Sequence, residues 1–264
     1  HFEVAMEAQY ELTKRFTSEF SIGRYLDEYP DATLAVLHQW ATDPDLHVRR
    51  LVSEGSRPRL PWAPRLRSFR DDPTPIIELL ELLKDDPEEY VRRSVANNLN
   101  DISKDHPDIV LTVARRWQTG ADDQRRRLLR HGLRTLVKQG DLEALSVLGF
   151  EADTPVRVGT VSIEPDRPRI GGRIRIEVEL VNPDHGARGV LVDLIVHFVK
   201  ANGSTSPKVF KGAERMLEPG QSSVVAKTVS LAQHSTRTHH AGTHRVEVQL
   251  NGTVVPAGSF ELLA

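Results

Sequence analysis

The spacing of apolar residues changes once along the chain, near residue 152. From residue 1 to about 150, Leu, Val, Ile and Ala recur at intervals of three and four residues, which predicts helices throughout. Short acidic or proline-bearing breaks divide these helices, and each supplies a capping carboxylate at a helix start. The breaks are Tyr29-Pro30-Asp31, Asp43-Pro44-Asp45, Asp71-Asp72-Pro73, Asp85-Asp86-Pro87 and Asp105-His106-Pro107.

Two of the helical units resemble each other in sequence. The segment from Asp43 to Arg50 recurs from Asp86 to Arg93, and the Val-Arg-Arg cores of the two copies are 43 residues apart. This offset lies within the period of HEAT-like helical repeats. A looser third copy begins at Asp122. The pattern predicts a curved stack of helix pairs with a concave face available for binding.

Beyond Pro155 the apolar residues alternate with polar ones, and the segments are rich in β-branched residues. Gly, Pro and Asn lie between the segments, and Asn251-Gly252 predicts a tight hairpin. Six or seven short antiparallel strands are typical of an immunoglobulin-like sandwich. The predicted strands are Val156 to Glu164, Arg173 to Val181, Val190 to Val199, Ser222 to Leu231, His244 to Leu250 and Ser259 to Leu263.

The two patterns together predict a multidomain α plus β protein. Residues 1–152 are expected to form an α-helical HEAT-like repeat solenoid, and residues 153–264 an all-β immunoglobulin-like sandwich. The chain has 264 residues, which is long enough for two domains that each have a core. It begins at His1 within a helical pattern, so we expect the natural protein to extend further in that direction.

Composition narrows the class of protein. The sequence contains no cysteine, so no disulfide framework supports the fold and a reducing compartment is the simpler assumption. No apolar run reaches the roughly 20 residues of a membrane span, and nothing resembles a signal peptide. We therefore expect a soluble, cytoplasmic protein with no membrane partner.

The distribution of charge is more informative than its sum. The net charge is −2, which argues against a uniformly basic nucleic-acid-binding protein. Between Arg49 and Arg70, however, the sequence contains seven basic residues and a single acid, Glu54. The basic residues of this local patch are Arg49, Arg50, Arg57, Arg59, Arg65, Arg67 and Arg70.

A polar stripe follows one side of each repeated helix. At 100° per residue, Arg50 and Glu54 share a side of the first helix, and Arg93, Asn97 and Asp101 share a side of the second. The simplest interpretation is a solvated face with an i,i+4 ion pair. Against it, the acid follows the arginine, which is the weaker order, and both acids are predicted near helix C-termini, where the dipole opposes them. We infer that another role selects these acids.

The loop after the first repeated helix combines prolines, arginines and a tryptophan. Pro58 and Pro61 fix its path at low entropic cost, which suits the presentation of Arg57, Arg59 and Trp62 to a ligand. Arginines bind phosphates, while an indole face contacts a cation or a sugar. The alternative is that the tryptophan simply covers the helix ends.

Other polar residues give weaker signals. Glu19 lies between aromatic residues on an early helix, and from the residues alone it is expected to be exposed. The segment from Gln233 to His244 contains four histidines, but their spacing fits no standard zinc site. A polar loop with Arg237 available for phosphate contact is favoured over a metal site. The sequence has no nucleophile elbow, phosphate-binding glycine loop or dinucleotide fingerprint, so no metal or cofactor is predicted.

Several of these segments together resemble the bacterial AlkC-type DNA alkylation repair glycosylases, which are relatives of the AlkD-type enzymes with HEAT-like repeats. Some members of that family carry a C-terminal immunoglobulin-like domain. The segments are Arg15-Phe16-Thr17-Ser18-Glu19-Phe20, His47 to Gly55, Arg57-Pro58-Arg59-Leu60-Pro61-Trp62 and Tyr90 to Asp101.

The resemblance implies excision of cationic 3-methyladenine and 3-methylcytosine from double-stranded alkylated DNA in base excision repair. We expect the protein to be a nucleoid-associated monomer, but the sequence leaves its oligomeric state open. The resemblance also implies that the base is not flipped into a pocket, unlike in most enzymes that act on bases. The implied catalytic residues are Glu19, Glu54, Asp101 and Trp62. The implied DNA-binding residues are Arg50, Arg57, Arg59, Arg93, Asn97, Lys104, Arg237 and His239, of which Arg237 and His239 belong to a loop similar to the DNA-contacting segment of the extra domain.

The chemistry of such a lesion fits these residues. An alkylated base already carries a positive charge, so the enzyme must stabilise an oxocarbenium-like sugar and place a water behind it. We expect Glu54 and Asp101 to do this, with assistance from Glu19 and with the face of Trp62 against the deoxyribose. Two rivals remain: a non-enzymatic HEAT scaffold that binds DNA or protein, and a carbohydrate or adhesion module built on the sandwich.

Overall fold

Helices fill the first half of the chain and strands fill the second. The computed structural model describes residues 1–233 and 238–264. It divides into two units, His1–Leu136 and Val137–Ala264. The last helix thus belongs to the second unit. The predicted boundary at residue 152 lies after that helix, because it was placed where the spacing of apolar residues changes. In the part of the chain described here, no helix is long and apolar enough to cross a membrane.

The helix starts follow the breaks in the sequence. Asp45 caps one helix by accepting a hydrogen bond from the backbone N–H of His47 at 2.7 Å, and Asp122 caps another. Pro30 and Pro107 occupy first helical positions, where a missing N–H costs nothing. The helices are α1 (Phe2–Thr13), α2 (Glu19–Glu28), α3 (Pro30–Trp40), α4 (Leu46–Gly55), α5 (Arg67–Asp71), α6 (Thr74–Leu83), α7 (Glu89–Ile102), α8 (Pro107–Gln118), α9 (Asp123–Gly132), α10 (Arg134–Gln139) and α11 (Leu142–Val147).

The two repeated segments form α4 and α7, which pack against each other, and α7 in turn packs against α9. The apolar sides predicted for both helices are confirmed, since the residues predicted to face inward are fully buried: Val48, Leu51 and Val52 in α4, and Val91, Val95 and Leu99 in α7. Whether the helix pairs are HEAT-like repeats stays a prediction. At the end of α4, a Cβ on Gly55 would lie 2.2 Å from Ile22. This close approach brings α2, which begins at Glu19, against the end of α4.

The second unit contains two antiparallel sheets with strand orders β1-β2-β5 and β4-β3-β6-β7. Inward-facing residues of both sheets form one apolar core, as in the alternation from Ile174 to Leu180. The predicted sequence of a helical region followed by an all-β sandwich is confirmed. The strands are β1 (Arg157–Glu164), β2 (Arg173–Val181), β3 (Arg188–Val199), β4 (Thr205–Leu217), β5 (Ser222–Ser230), β6 (Gly242–Leu250) and β7 (Thr253–Leu262).

The structure adds one strand to those predicted and moves the start of another. Strand β4 was not predicted, because Pro207 and Gly212 interrupt its alternation and its side chains are mostly partly or fully exposed. Strand β7 begins at Thr253 rather than at Ser259. The hairpin at Asn251-Gly252 is confirmed, since both residues have positive φ values, 45° and 87°, between β6 and β7.

Candidate active site

The two acids of the polar stripes lie at the negative ends of their helices. Glu54 is the second-last residue of α4, and Asp101 is the second-last residue of α7. Helix α7 has 14 residues against 10 in α4, so Asp101 lies one turn beyond Asn97, the repeat equivalent of Glu54. The helix dipole disfavours a carboxylate at either position.

Both acids are nevertheless buried. Glu54 is 6 % exposed and Asp101 is 1 % exposed, so the interpretation as a solvated face is wrong. Ionised carboxylates in such a place need partners that supply both charge and hydrogen bonds.

Arg57 is the shared partner of the two acids. Its Nη1 donates to Glu54 Oε1 at 2.6 Å, and its Nε donates to Asp101 Oδ2 at 2.8 Å. The prediction that the proline-rich loop presents Arg57 to a DNA phosphate is therefore corrected. Arg57 is 8 % exposed, because the loop turns back after α4 and places its guanidinium between two carboxylates that require a cation.

Arg57 stays charged in this environment. Burial alone would lower the pKa of its guanidinium, but the hydrogen bond to Asp101 and the negative charge of Glu54 outweigh that cost, and the pKa is raised. A permanent cation therefore fixes the two carboxylates at a constant separation. Preorganised charges of this kind need no rearrangement during a reaction.

Further ion pairs extend this arrangement at both ends. Arg50 contacts Glu19 at 2.5 Å and Glu54 at 3.7 Å, and its guanidinium lies over the ring of Tyr90, 5.2 Å from the centroid. At the other end, Lys104 Nζ donates to Asp101 Oδ1 at 2.9 Å. We call the alternating series of Glu19, Arg50, Glu54, Arg57, Asp101 and Lys104 the acid row.

The acid row brings together residues that are far apart in sequence, including Glu19. Its side chain is 14 % exposed and paired, so the expectation of an exposed residue is wrong. The exposed fraction falls from Glu19 to Glu54 to Asp101, whose side chain is 2 % exposed. Three acids and three cations make the row neutral while the side chains of Arg50 and Lys104 remain in place.

Sequence reasoning missed Ser94. Its hydroxyl donates to Glu54 Oε2 at 2.7 Å and accepts a hydrogen bond from Ser53 Oγ at the same distance. The available signal was the presence of a small polar residue on the inward side of each repeated helix, where α4 and α7 meet. Ser94 and Arg57 thus hold opposite oxygens of the Glu54 carboxylate.

Trp62 is presented to solvent as predicted. It is 97 % exposed, so it does not cover the helix ends. Its φ of 65° lies in the left-handed region, which is rare for a bulky residue. Such backbone strain costs on the order of 1–3 kcal/mol and clusters at functional sites.

Arg59 lies in a second ion-pair cluster beside the acid row. It contacts both carboxylate oxygens of Asp105, at 2.7 and 2.5 Å, and Arg70 binds the same acid. The hydrogen bond from Arg59, which outweighs the cost of burial, holds the pKa of Asp105 well below its usual range. In the free protein the partner of Arg59 is thus a carboxylate of the protein, and its contact with DNA stays a prediction.

The other predicted DNA-binding residues of the helical unit lie on α7. Arg93 is exposed, and the Oδ1 of Asn97 faces the His131 Nε2 at 2.9 Å and accepts from Arg134 at 3.1 Å. Both residues therefore face α9 and are not part of the acid row.

Two of the predicted DNA-binding residues, Arg237 and His239, belong to the β unit. Arg237 lies outside the described residues. His239 is 2 % exposed, and its ring lies 5.1 Å from that of Phe198 in an aromatic cluster with His244 and Phe260. The prediction that the His239 ring contacts DNA is corrected, because the ring belongs to the interior of the unit. In residues 1–233 and 238–264, no group of three or more His, Asp or Glu side chains could hold a metal ion.

Comparisons with known proteins match the two units to two families. The family described as “DNA alkylation repair enzyme” matches residues 16–133, and the C-terminal immunoglobulin-like domain of YhaZ matches residues 157–264. These matches define a DNA alkylation repair protein with an immunoglobulin-like domain. The uncharacterised protein YhaZ of Bacillus subtilis is 35% identical over 262 residues, which cover 99% of this chain and 72% of YhaZ.

A solved structure identifies the family. The alkylpurine DNA glycosylase AlkC of Pseudomonas fluorescens, bound to DNA containing an abasic site analogue, superposes with a TM-score of 0.95 at 37% identity. The match covers 100% of this chain and 73% of that one. The chain belongs to the AlkC family of DNA alkylation repair glycosylases, which confirms the resemblance seen in the sequence and the immunoglobulin-like class of the sandwich.

Proposed function

We propose that this protein releases 3-methyladenine and 3-methylcytosine from double-stranded DNA by hydrolysis of the N-glycosidic bond. The observation that carries the proposal is the acid row, in which three carboxylates are fixed in the helical unit, which also presents an exposed tryptophan. The related AlkC binds DNA containing an analogue of an abasic site, the species that remains after a base is released.

The lesion itself removes part of the chemical problem. A base alkylated at N3 is cationic and leaves as a neutral molecule, so it needs no general acid. The deoxyribose becomes positively charged as the bond breaks, and an enzyme gains most by stabilising that charge. Carboxylates are the side chains suited to this task.

DNA binding supplies a way to expose the negative charge. The row is neutral in the free protein because Arg50 and Lys104 pair with its acids. A DNA phosphate competes for each of these cations, and the Lys104 side chain is 38 % exposed and within reach of solvent. Once both cations bind phosphate, three acids face the single cation Arg57, and the row becomes strongly negative where the sugar lies.

The residues then take distinct roles. Glu54 stabilises the oxocarbenium-like sugar and orients the attacking water, since Ser94 and Arg57 fix its two oxygens. Asp101 contributes negative charge after Lys104 turns away. Glu19 assists at the more exposed end of the row, and the indole of Trp62 packs against the deoxyribose.

The residual exposure of Glu19 and Glu54 favours catalysis without base flipping. Their side chains are 14 % and 8 % exposed in the free protein, and the departure of Arg50 to a DNA phosphate opens both to the sugar. The cavity of about 620 Å³ in the helical unit is lined by residues of other elements, among them His38, Ile77 and Ile109. A damaged base that stays in the stack needs no pocket of its own.

The decisive experiment measures base release from duplexes that contain a single 3-methyladenine or 3-methylcytosine. We expect Glu54→Gln to lower the single-turnover rate by roughly 10²–10³-fold, with little change in affinity for a duplex with an abasic-site analogue. Glu28→Gln is the matched control, because Glu28 also ends a helix and pairs with an arginine four residues earlier. Undiminished release by Glu54→Gln would remove that residue from the mechanism.

The same assay separates the proposal from its main rival. A non-enzymatic scaffold that binds DNA would release no base at any protein concentration, however tightly it held the duplex. A comparison of the two lesions would also rank the two substrates.

For the β unit we propose a role as a clamp on DNA, with Arg237, in the sequence between β5 and β6, as the phosphate contact. The support is the presence of a matching immunoglobulin-like domain in the family. If the proposal holds, Arg237→Ala weakens DNA binding and flattens its salt dependence by about one unit of slope. An unchanged slope would leave the unit without a role in backbone contact.

A further inference from the structure

A groove between α7 and α9 carries a set of cations that the acid row does not use. Its volume is about 230 Å³, and Ala96 and Leu128 are apolar residues of its lining. Its polar lining residues are Glu89, Arg92, Arg93, Gln124, Arg127 and His131.

The arginines of the groove occupy a repeated position. Arg50 follows the residue that caps α4 by five positions, and Arg93 and Arg127 follow the caps of α7 and α9 by the same interval. The looser third copy in the sequence is therefore equivalent to the first two at this point. The three equivalent helices, α4, α7 and α9, thus each have an arginine at the same position relative to the helix start.

The residue four positions after each arginine changes its chemistry. It is Glu54 in α4, Asn97 in α7 and His131 in α9. The stripe thus passes from an acid to a neutral amide to an imidazole, while the arginine is kept. At this position only α4 has an acid, and the groove lies between the two helices that have an amide and an imidazole there.

The cations of the groove lack the partners that neutralise Arg50. Within residues 1–233 and 238–264, neither Arg93 nor Arg127 forms an ion pair, and both are exposed. Burial and the positive charges of Arg134 and Arg93 lower the pKa of His131. Arg92 is held by the backbone oxygen of Asp86, which leaves two arginine side chains available to a ligand.

We propose that this groove binds one phosphodiester of the damaged DNA strand, held by Arg93 and Arg127. Arginine suits this ligand because its planar group makes paired hydrogen bonds to phosphate oxygens. The inference rests on the proposed action on DNA and adds a contact on the side of the lesion away from Glu19.

The position of the bound phosphate follows from helix packing. Neighbouring helices lie about 8–10 Å apart, and successive nucleotides of one strand advance by about 3.4 Å. If the axis of the DNA runs across α4, α7 and α9 with the lesion at the acid row, a phosphate two or three nucleotides from the lesion lies at the groove.

The first test is the salt dependence of binding to a duplex with an abasic-site analogue, measured by fluorescence anisotropy. Arg127→Gln is expected to weaken binding by about tenfold and to reduce the slope of log K against log salt by about 0.9. Arg126→Gln is the matched control, because Arg126 is the adjacent residue of α9 but pairs with Asp123 outside the groove. Equal slopes for Arg127→Gln and wild type would overturn the proposal.

The second test locates the phosphate with neutral methylphosphonate linkages placed one at a time along the damaged strand. One linkage, two or three nucleotides from the lesion, should reproduce the loss in wild-type protein and cause no further loss in Arg127→Gln. Additive losses at every linkage would overturn the groove as a specific site. Base release is measured separately. Tight binding that depends on the groove, without base release, would contradict the proposed function but not the proposed phosphate site.

Discussion

The two arginines of each Val-Arg-Arg repeat make different contacts. The first arginines, Arg49 and Arg92, both turn to the loop before α7. Arg49 contacts the two carboxylate oxygens of Asp86 at 2.6 and 3.1 Å, and Arg92 donates to the backbone oxygen of the same residue. Asp86 has a side chain that is only 3 % exposed. Arg49 thus joins the first repeat to the second, whereas Arg92 holds the start of its own repeat.

The second arginines serve the site. Arg50 pairs with Glu19 and Glu54, and Arg93 lies exposed at the groove between α7 and α9. Two adjacent arginines thus take different roles, one structural and one functional, because successive side chains of a helix point in directions about 100° apart. An arginine and an acid in contact do not identify a functional site. What distinguishes the acid row is the sharing of cations among several acids and its residual exposure.

The largest effect is expected from removing the anchor of the first arginines. Asp86→Ala leaves Arg49 without its carboxylate in a nearly buried position, and we expect the free energy of unfolding to fall by about 3–5 kcal/mol. Urea denaturation measures this loss. Arg93→Ala, at an exposed second arginine, should change stability by less than about 0.5 kcal/mol. Similar losses in both variants would break the division.

Much of the fold was predictable because it depends on local pattern. The helix starts follow from capping aspartates and prolines, and the hairpin from Asn251-Gly252, since these residues act on their own neighbourhood. Strand β4 was missed because its partners decide its conformation: its hydrogen bonds to β3 override a sequence that contains proline and glycine.

The candidate site was predictable only in part. The position of Glu54 and Asp101 at helix ends follows from the helical period, and the exposure of Trp62 from its proline-rich loop. The burial of Arg57 between the two acids does not, because it depends on how that loop turns back across α7. The contact between Glu19 and Arg50 likewise joins α2 to α4, and no spacing in the sequence encodes it.

A smaller effect should come from changing the second arginine of the first repeat while keeping its charge. Arg50 lies over Tyr90 and contacts Glu19 and Glu54 in the free protein, and in the proposed complex it binds a DNA phosphate instead. A lysine ammonium cannot make the paired hydrogen bonds that an arginine makes to a phosphate. We expect Arg50→Lys to slow base release by about tenfold with little change in the urea midpoint. Arg49→Lys should do the reverse and lower stability, with the release rate per folded molecule unchanged. Identical behaviour of the two variants would show that the arginines are not specialised.

The smallest effect concerns the two loop arginines, Arg57 and Arg59, and it depends on pH. Arg59 holds the pKa of Asp105 below its usual range, so this pair stabilises the folded state above the unfolded pKa of about 3.9 and loses that contribution as the pH falls further.

Asp105→Asn should therefore be less stable than wild type at pH 7, and thermal unfolding should show the difference shrinking below about pH 4. The loss is expected to be modest because Arg59 and Arg70 are partly exposed. Asp123→Asn, at a side chain that is 80 % exposed, is the control and should show little difference at either pH.

Base release by Asp105→Asn at pH 7 should match wild type, in contrast to Asp101→Asn one turn away. A loss of release in Asp105→Asn as large as in Asp101→Asn would extend the active site to Arg59 and its partners. It would also mean that the cations that stabilise the fold and the cations of the acid row are not separate groups.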